Sequence, residues 1–324
     1  MERFKNQRYL IIAMAVVMVI FLVLIRIYQT GAATDDEINQ ISIVAYGTDT
    51  DRWENLKQGA SVACSGLNAE VFLVTMSENA GAAEQAKIVK REIENGAAAV
   101  IIAADDSAGL SEYLGINELK TPVVFAETGI DDKEHSCVSA DNYSMGVKLA
   151  DKIIENEHKW VKVAIVADNL KRSSVSGRYQ GVYDTVKKYT DNVVVWDRNI
   201  NESSMITRKY LQRWLVEEAV DVIVTLDSEK TDALMDALDN LNKSGKVYSI
   251  ANSDKAVSYL DHGKITALEY QDEFAIGYVA AVKALDAMDL KAPKIADEEI
   301  GAKVMTKGEI YKGDNEKLVF PFAK

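Results

Sequence analysis

Reactive side chains are scarce in this 324-residue sequence, which holds only two cysteines and three histidines. Cys64 and Cys137 read as two small buried hydrophobes, although a disulfide stays open for an exported chain. His135, His158 and His262 share no spacing, so no metal cluster is expected. No GxGxxG follows an apolar run, and neither GxxxxGK(S/T) nor GxSxG occurs, which removes the usual support for nucleotide and hydrolase chemistry. Ser173, Ser174 and Ser176 cluster without a histidine placed to activate them, and Asp105 beside Asp106, taken alone, reads as a solvated turn. The expectation is a protein that is not an enzyme and carries no cofactor. Positive charge is short as well: 37 Lys and Arg against 50 Asp and Glu leave a formal net charge of −13. Such a surface repels phosphate backbones and argues against nucleic acid as a partner.

What the sequence has in plenty is apolar character, concentrated first in the unbroken run Leu10 to Ile25. As a helix this run reaches roughly 24 Å, and extension from Tyr9 to Tyr28, with Arg26 snorkelling, brings it close to the ~30 Å of a hydrocarbon core. Arg3, Lys5 and Arg8 precede it, which keeps the N-terminus in the cytoplasm and sends the rest outside. Residues 1–29 therefore read as a membrane segment, an uncleaved single-pass anchor in preference to a signal cut after Ala33 with release of the remainder. No cysteine stands near the end of the run to take a lipid, and residues 30–40 form a polar linker.

Beyond the linker, short β-rich runs alternate with longer helical patterns. Strands are expected at 41–46, 70–75, 98–103 and 122–126, with helices at 52–65, 82–94 and 110–117 between them. The pattern restarts with a helix at 143–156, then strands at 162–167, 192–196, 221–226 and 247–251, separated by helices at 177–188, 208–218 and 229–242. Nearly continuous apolar strands separated by amphipathic helices imply parallel sheets covered on both faces. The fold class is thus α/β, with two successive units joined near 139–143.

In open parallel sheets a ligand lies beyond the carboxyl ends of the strands, so the residues that follow each strand matter most. They are polar: the stretch 47–53 with Asp51 and Arg52, then Asp105, Glu127, Asn142, Asp227 and Gln271. Arg178 is expected to open the helix at 177–188, where its planar five-donor fork can grip vicinal hydroxyls or a carboxylate. Trp53 offers a flat face suited to the C–H side of a sugar ring.

The segments RWENLKQGA (52–60), SADNYSMG (139–146), the Ser-rich run through Arg178 to Gly181 and QDEFAIG (271–277) resemble the type I periplasmic binding proteins, especially the ribose-binding and related monosaccharide-binding members of ABC sugar importers. The likeness also extends to the ligand-binding core of lactose-repressor-type regulators. It runs from about Ile41 to the end of the chain. The resemblance implies two Rossmann-like lobes joined by a three-strand hinge near Ala140, Asp272 and Ala302. Lobe one is then 38–140 plus 272–301, and lobe two is 141–271 plus 302–324. It further implies Trp53 stacking on the sugar, Glu127 accepting from hydroxyls, and Asn142, Arg178, Asp227 and Gln271 as binding residues. Asn252 stands where the family often has an aspartate, and Asp51, Arg52, Asp105 and Asn252 are secondary candidates. Arg52 replaces an aromatic of the ribose-binding pattern, so the ligand is not assignable as ribose. A membrane segment stands where the repressors carry a DNA-binding domain. The function implied is capture of a small polar solute, a monosaccharide or polyol, for an ABC permease; the alternative is a membrane-anchored sensor partnering a histidine kinase or chemoreceptor.

Overall fold

The computed structural model describes residues 38–47, 53–77, 80–130, 137–168, 170–197, 204–290 and 300–320, together with Met18, Ile20, Phe21 and Val23. The chain divides into two compact units, 1–39 and 40–324. In the first, the four described residues of the apolar run are helical and exposed. Among the described residues no helix is long and apolar enough to cross a membrane. The expected anchor lies largely outside the described residues, and so do Asp51 and Arg52.

The second unit contains two sheets. The first is built from β1 (Asn39–Ala45), β2 (Ala69–Thr75), β3 (Ala99–Ile102), β4 (Val123–Ala126) and β5 (Cys137–Val138), in the order β2-β1-β3-β4-β5. The second is built from β6 (Val163–Val166), β7 (Val193–Trp196), β8 (Val222–Thr225), β9 (Lys246–Ile250), β10 (Ala267–Gln271) and β11 (Ala302–Met305), in the order β7-β6-β8-β9-β10-β11. The first five strands of each sheet follow one winding order, so the second sheet repeats the first. The pairs β1–β3, β3–β4, β6–β8 and β8–β9 are parallel, but β11 runs antiparallel to β10. The expectation of purely parallel sheets is corrected there: β11 is an edge strand added after the chain has returned from the first sheet, and no crossover helix intervenes within the second.

Helices α1 (Glu54–Cys64), α2 (Ala82–Glu94), α3 (Ser107–Leu114) and α9 (Glu273–Ala287) flank the first sheet; α4 (Asn142–Asn156), α5 (Ser173–Tyr189), α6 (Ser204–Glu217), α7 (Ser228–Asn240) and α8 (Asp254–Asp261) flank the second, and α10 (Asp314–Val319) follows β11. Strand alternation explains the layers. Val163, Ile165, Val222 and Val224 face one core with Leu149 and Val182 of α4 and α5, while Ala164, Val166 and Ile223 face the other with Leu211 and Leu234 of α6 and α7. Helix α9 follows a strand of the second sheet, yet Ile276, Ala280 and Leu285 pack into the core of the first.

Two helix pairs approach so closely that only glycine fits. A Cβ on Gly59 of α1 would lie 2.0 Å from the Phe274 carbonyl oxygen, and one on Gly277 of α9 would lie 1.8 Å from that of Leu56. In the other sheet's layer, Cβ atoms on Gly146 and Gly181 would each stand 2.2 Å from a carbonyl oxygen of the facing helix, α5 or α4. Both cysteines are free: Cys64 is buried and Cys137 half-buried. Burial raises both thiols, to about 11 and about 12.

Candidate functional site

The carboxyl ends of both sheets border one pocket. Tyr46 follows β1, Glu127 follows β4, Asp227 lies just after β8, Asn252 just after β9, and Gln271 ends β10; each lines the pocket. This is the placement that open α/β sheets give their ligands. Some polar residues after strands serve a different purpose. Asp106, Asp141 and Asp272 accept from the first-turn amides of α3, α4 and α9 as N-caps. Asp227 does both, lining the pocket and accepting from Lys230 N at 2.7 Å.

Glu127 is held with unusual care. Its backbone has φ +64°, a left-handed conformation uncommon for a residue with a side chain. Tyr46 Oη donates to its Oε2 at 2.9 Å, and Ser174 Oγ and Arg178 Nη2 donate to its Oε1 at 3.2 and 3.0 Å. The strained turn and the three donors fix a carboxylate that is only 3% exposed.

Arg178 is the sixth residue of α5, which starts at Ser173; the expected start at 177 is corrected, because the serines belong to the helix's first turn. Ser173 N donates to Ser107 Oγ and Ser174 Oγ reaches Glu127, so the first turn is anchored on the other sheet. The guanidinium of Arg178 donates to Asn142 Oδ1 at 2.8 Å, Leu226 O at 3.1 Å, Glu127 Oε1 at 3.0 Å and Gln271 Oε1 at 3.2 Å. Asn142 thus stands behind Arg178 and orients it, and it is not among the pocket-lining residues. Gln271 in turn donates to Glu273 Oε1 at 2.5 Å, and Asn252 Nδ2 donates to the same oxygen.

Trp53 lines the pocket immediately before α1, with its indole N–H donating to Tyr46 O at 3.0 Å and its ring edge-on to Tyr46 at 4.9 Å. Its polar group is therefore satisfied within the protein, and the pair forms a rigid aromatic wall.

Arg172 lies deeper, just before α5, and was not anticipated from the sequence. It is 4% exposed, donates to Asp105 Oδ1 at 2.6 Å, sits 3.6 Å above the Tyr46 ring, and stands 3.8 and 3.4 Å from carboxylate oxygens of Asp227 and Glu229. Burial opposes its charge, but Tyr46 and the carboxylates of Asp105, Glu229 and Asp227 outweigh that and hold it protonated. Asp105, expected near the ligand, is turned to this ion pair instead and is not a pocket-lining residue. Lys230 extends the network to Asp168 at 3.2 Å.

Glu269, on β10, also lines the pocket and was not anticipated. It is completely buried, and neither carboxylate oxygen has a hydrogen-bond partner. Burial pushes its pKa up to about 8 against the weaker pull of Lys148 and Arg178. The available signal was a carboxylate in the interior of a strand, between Leu268 and Tyr270. The signal for Tyr46 was its place at the end of the first strand.

No metal-ligating group of three or more His, Cys, Asp and Glu forms among the described residues. What the arrangement can do is bind: it presents fixed acceptors, two amides and an aromatic wall to a small polar molecule.

Solved structures share this architecture. An ABC transporter solute binding protein from Agrobacterium vitis, with bound D-fucose, is 18% identical with a TM-score of 0.74, over 86% of this chain and 99% of that one. A carbohydrate transporter solute binding protein from Agrobacterium radiobacter, in complex with D-arabinose, is 19% identical with a TM-score of 0.73, over 87% and 99%. A glucose-galactose binding protein from Geobacillus stearothermophilus is 20% identical with a TM-score of 0.68, over 85% and 100%. At these identities the likeness is one of fold. No curated protein matches the chain. The model of the periplasmic binding protein domain matches residues 41–292, most of the sequence and nearly all of both sheets, and the chain therefore belongs to the periplasmic binding protein family.

Proposed function

We propose that this protein is an extracytoplasmic solute-binding subunit that closes two lobes around a monosaccharide or polyol and delivers it to an ABC permease. The observation that carries the reading is the pocket at the carboxyl ends of both sheets. Trp53, Tyr46 and Glu127 line it from the first, and Arg178, Asp227, Asn252 and Gln271 from the second. An aromatic wall beside acceptors and two amides suits a ring with one apolar face and several hydroxyls. The structural neighbours from the two Agrobacterium species hold D-fucose and D-arabinose, ligands of that kind. Family membership implies an extracytoplasmic location, and we place the apolar run Leu10 to Ile25 as the tether that keeps the protein at the membrane; recovery of the intact chain in the membrane fraction checks this.

Closure follows from differential contacts: a ligand stabilises the closed form only through groups that meet it there. A sugar library screened by thermal shift tests the function, since a ligand at 100 times its Kd adds roughly 2.7 kcal/mol of stability. Arg178→Ala is expected to weaken the hit by about 2 to 5 kcal/mol, measured by calorimetry. A library without any hit, or unchanged affinity in the variant, overturns the reading or removes Arg178 from it, respectively.

A further inference from the structure

The pocket carries more acidic side chains than a neutral sugar needs. Four carboxyl groups line it, those of Glu127, Asp227, Glu269 and Glu273, against the single guanidinium of Arg178. That guanidinium already donates to Glu127, Gln271, Asn142 and a backbone carbonyl. Glu127 is thereby matched by Arg178, and Asp227 lies 3.8 Å from Arg172. Glu269 has no such match: it is fully buried, both its oxygens lack a hydrogen-bond partner, and no ion pair reaches it among the described residues. Ile250 of β9 and Val304 of β11 are its neighbours in register, so the sheet offers it only apolar side chains.

A buried carboxylate without a partner costs free energy that the fold does not recover by itself. A group that brings both hydrogen-bond donors and positive charge removes that cost, and an ammonium supplies three donors and one charge. Resting on the carbohydrate reading above, we propose that the ligand is an amino sugar or amino polyol whose protonated amine docks against Glu269. The hydroxyls then fall to Glu127, Asp227, Asn252 and Gln271, and the ring to Trp53 and Tyr46. The titration of Glu269 agrees. The charges that bear on it are Lys148 of α4 and Arg178 of α5, with Glu127, Asp227 and Glu273 around the same pocket, and burial dominates them to leave the group largely protonated at neutral pH. Docking of an ammonium ion drives the Glu269 proton to the buffer, and the ligand keeps its own.

The test is calorimetry on the full-length protein with D-glucosamine, D-galactosamine and D-mannosamine, each beside its neutral parent sugar and its N-acetyl derivative, and with spermidine as an amine without a sugar. At least one amino sugar is expected to bind tenfold or more tightly than both its parent and its acetylated form. At pH 7 the heat should vary with the buffer's ionisation enthalpy in the sense of proton release. Glu269→Gln should bring the amino sugar within about threefold of its parent while the neutral sugar still binds, which shows that the variant is folded. Neutral sugars that bind as well as the amines, or a preference that survives Glu269→Gln, overturn the proposal and leave the carbohydrate reading standing. Binding of spermidine alone overturns both, and binding of nothing in the panel overturns the amino-sugar proposal, with the wider sugar library deciding the carbohydrate reading.

Discussion

The two sheets of the second unit are wound alike and braced alike, yet they bring different chemistry to the pocket. Each places a glycine-to-glycine helix crossing beside the site: α1 against α9 through Gly59 and Gly277, and α4 against α5 through Gly146 and Gly181. The first crossing fixes the helix that follows Trp53, and the first sheet contributes the aromatic pair and one carboxylate already dressed by three donors. The second crossing fixes Asn142 against Arg178, and the second sheet contributes a guanidinium, the amides of Asn252 and Gln271, and the carboxyl groups of Asp227 and the unpartnered Glu269. The first-sheet wall is complete before a ligand arrives, and the second-sheet wall is not. Repetition of a backbone device sets where side chains stand without setting what they do.

The strongest way to break this comparison is at the contact that joins the two walls. Arg172→Ala leaves Asp105, Asp227 and Glu229 without their shared cation in a buried setting, for which the expected loss is about 3 to 5 kcal/mol of stability. Urea unfolding measures it. A loss below 1 kcal/mol would mean that water replaces the guanidinium and that the two walls do not depend on it.

The crossings themselves come next. Gly146→Ala and Gly277→Ala each press a methyl group onto a facing carbonyl oxygen, and each is expected to cost about 1 to 3 kcal/mol. If the crossings are equivalent supports, calorimetric melting should show similar losses for both, and ligand affinity should fall in both because Arg178 and Glu273 shift with their helices. A large difference between the two would show that one sheet tolerates repacking and the other does not.

Per unit of pH, the smallest effect isolates the incomplete wall. Because Glu269 has a folded pKa near 8, well above the ordinary carboxyl value, the native chain keeps a proton that the unfolded chain releases at lower pH. Stability from this group is therefore fully present at acid pH and declines as pH rises from about 4.5 through 8, at no more than about 1.4 kcal/mol per pH unit. In the absence of ligand, Glu269→Gln should flatten the melting temperature against pH across that window relative to the parent protein. An unchanged profile would show that Glu269 is solvated in solution, and the contrast between the walls would shrink accordingly.

Much of this was legible in the amino acids. Apolar runs such as Val222–Thr225 have the composition of strands buried on both faces, and their alternation with helices gave the doubled α/β plan. Glu127, Asp227 and Gln271 could be found by the rule that ligands gather after strand ends. The same rule could not separate residues that line the pocket from those that cap a helix: Asp227 does both, whereas Asp141 and Asp272 cap α4 and α9. Asp105 and Asn142 were expected at the ligand, and the structure turns them instead toward Arg172 and Arg178. Arg172 gave no local signal, because a cation in a loop before a helix looks solvated until three elements from far along the chain close over it.

By itself, then, the sequence determined periodicity, winding and the list of polar side chains at strand ends, since these depend on local backbone preference and on which faces must avoid water. Tertiary structure alone decided which carboxylate meets which cation. The partners Arg172 and Asp105, Arg178 and Glu127, and Tyr46 and Glu127 are separated by 67, 51 and 81 residues. Only the packing of both sheets around one pocket brings them within hydrogen-bond range, and only that packing leaves Glu269 buried without a partner.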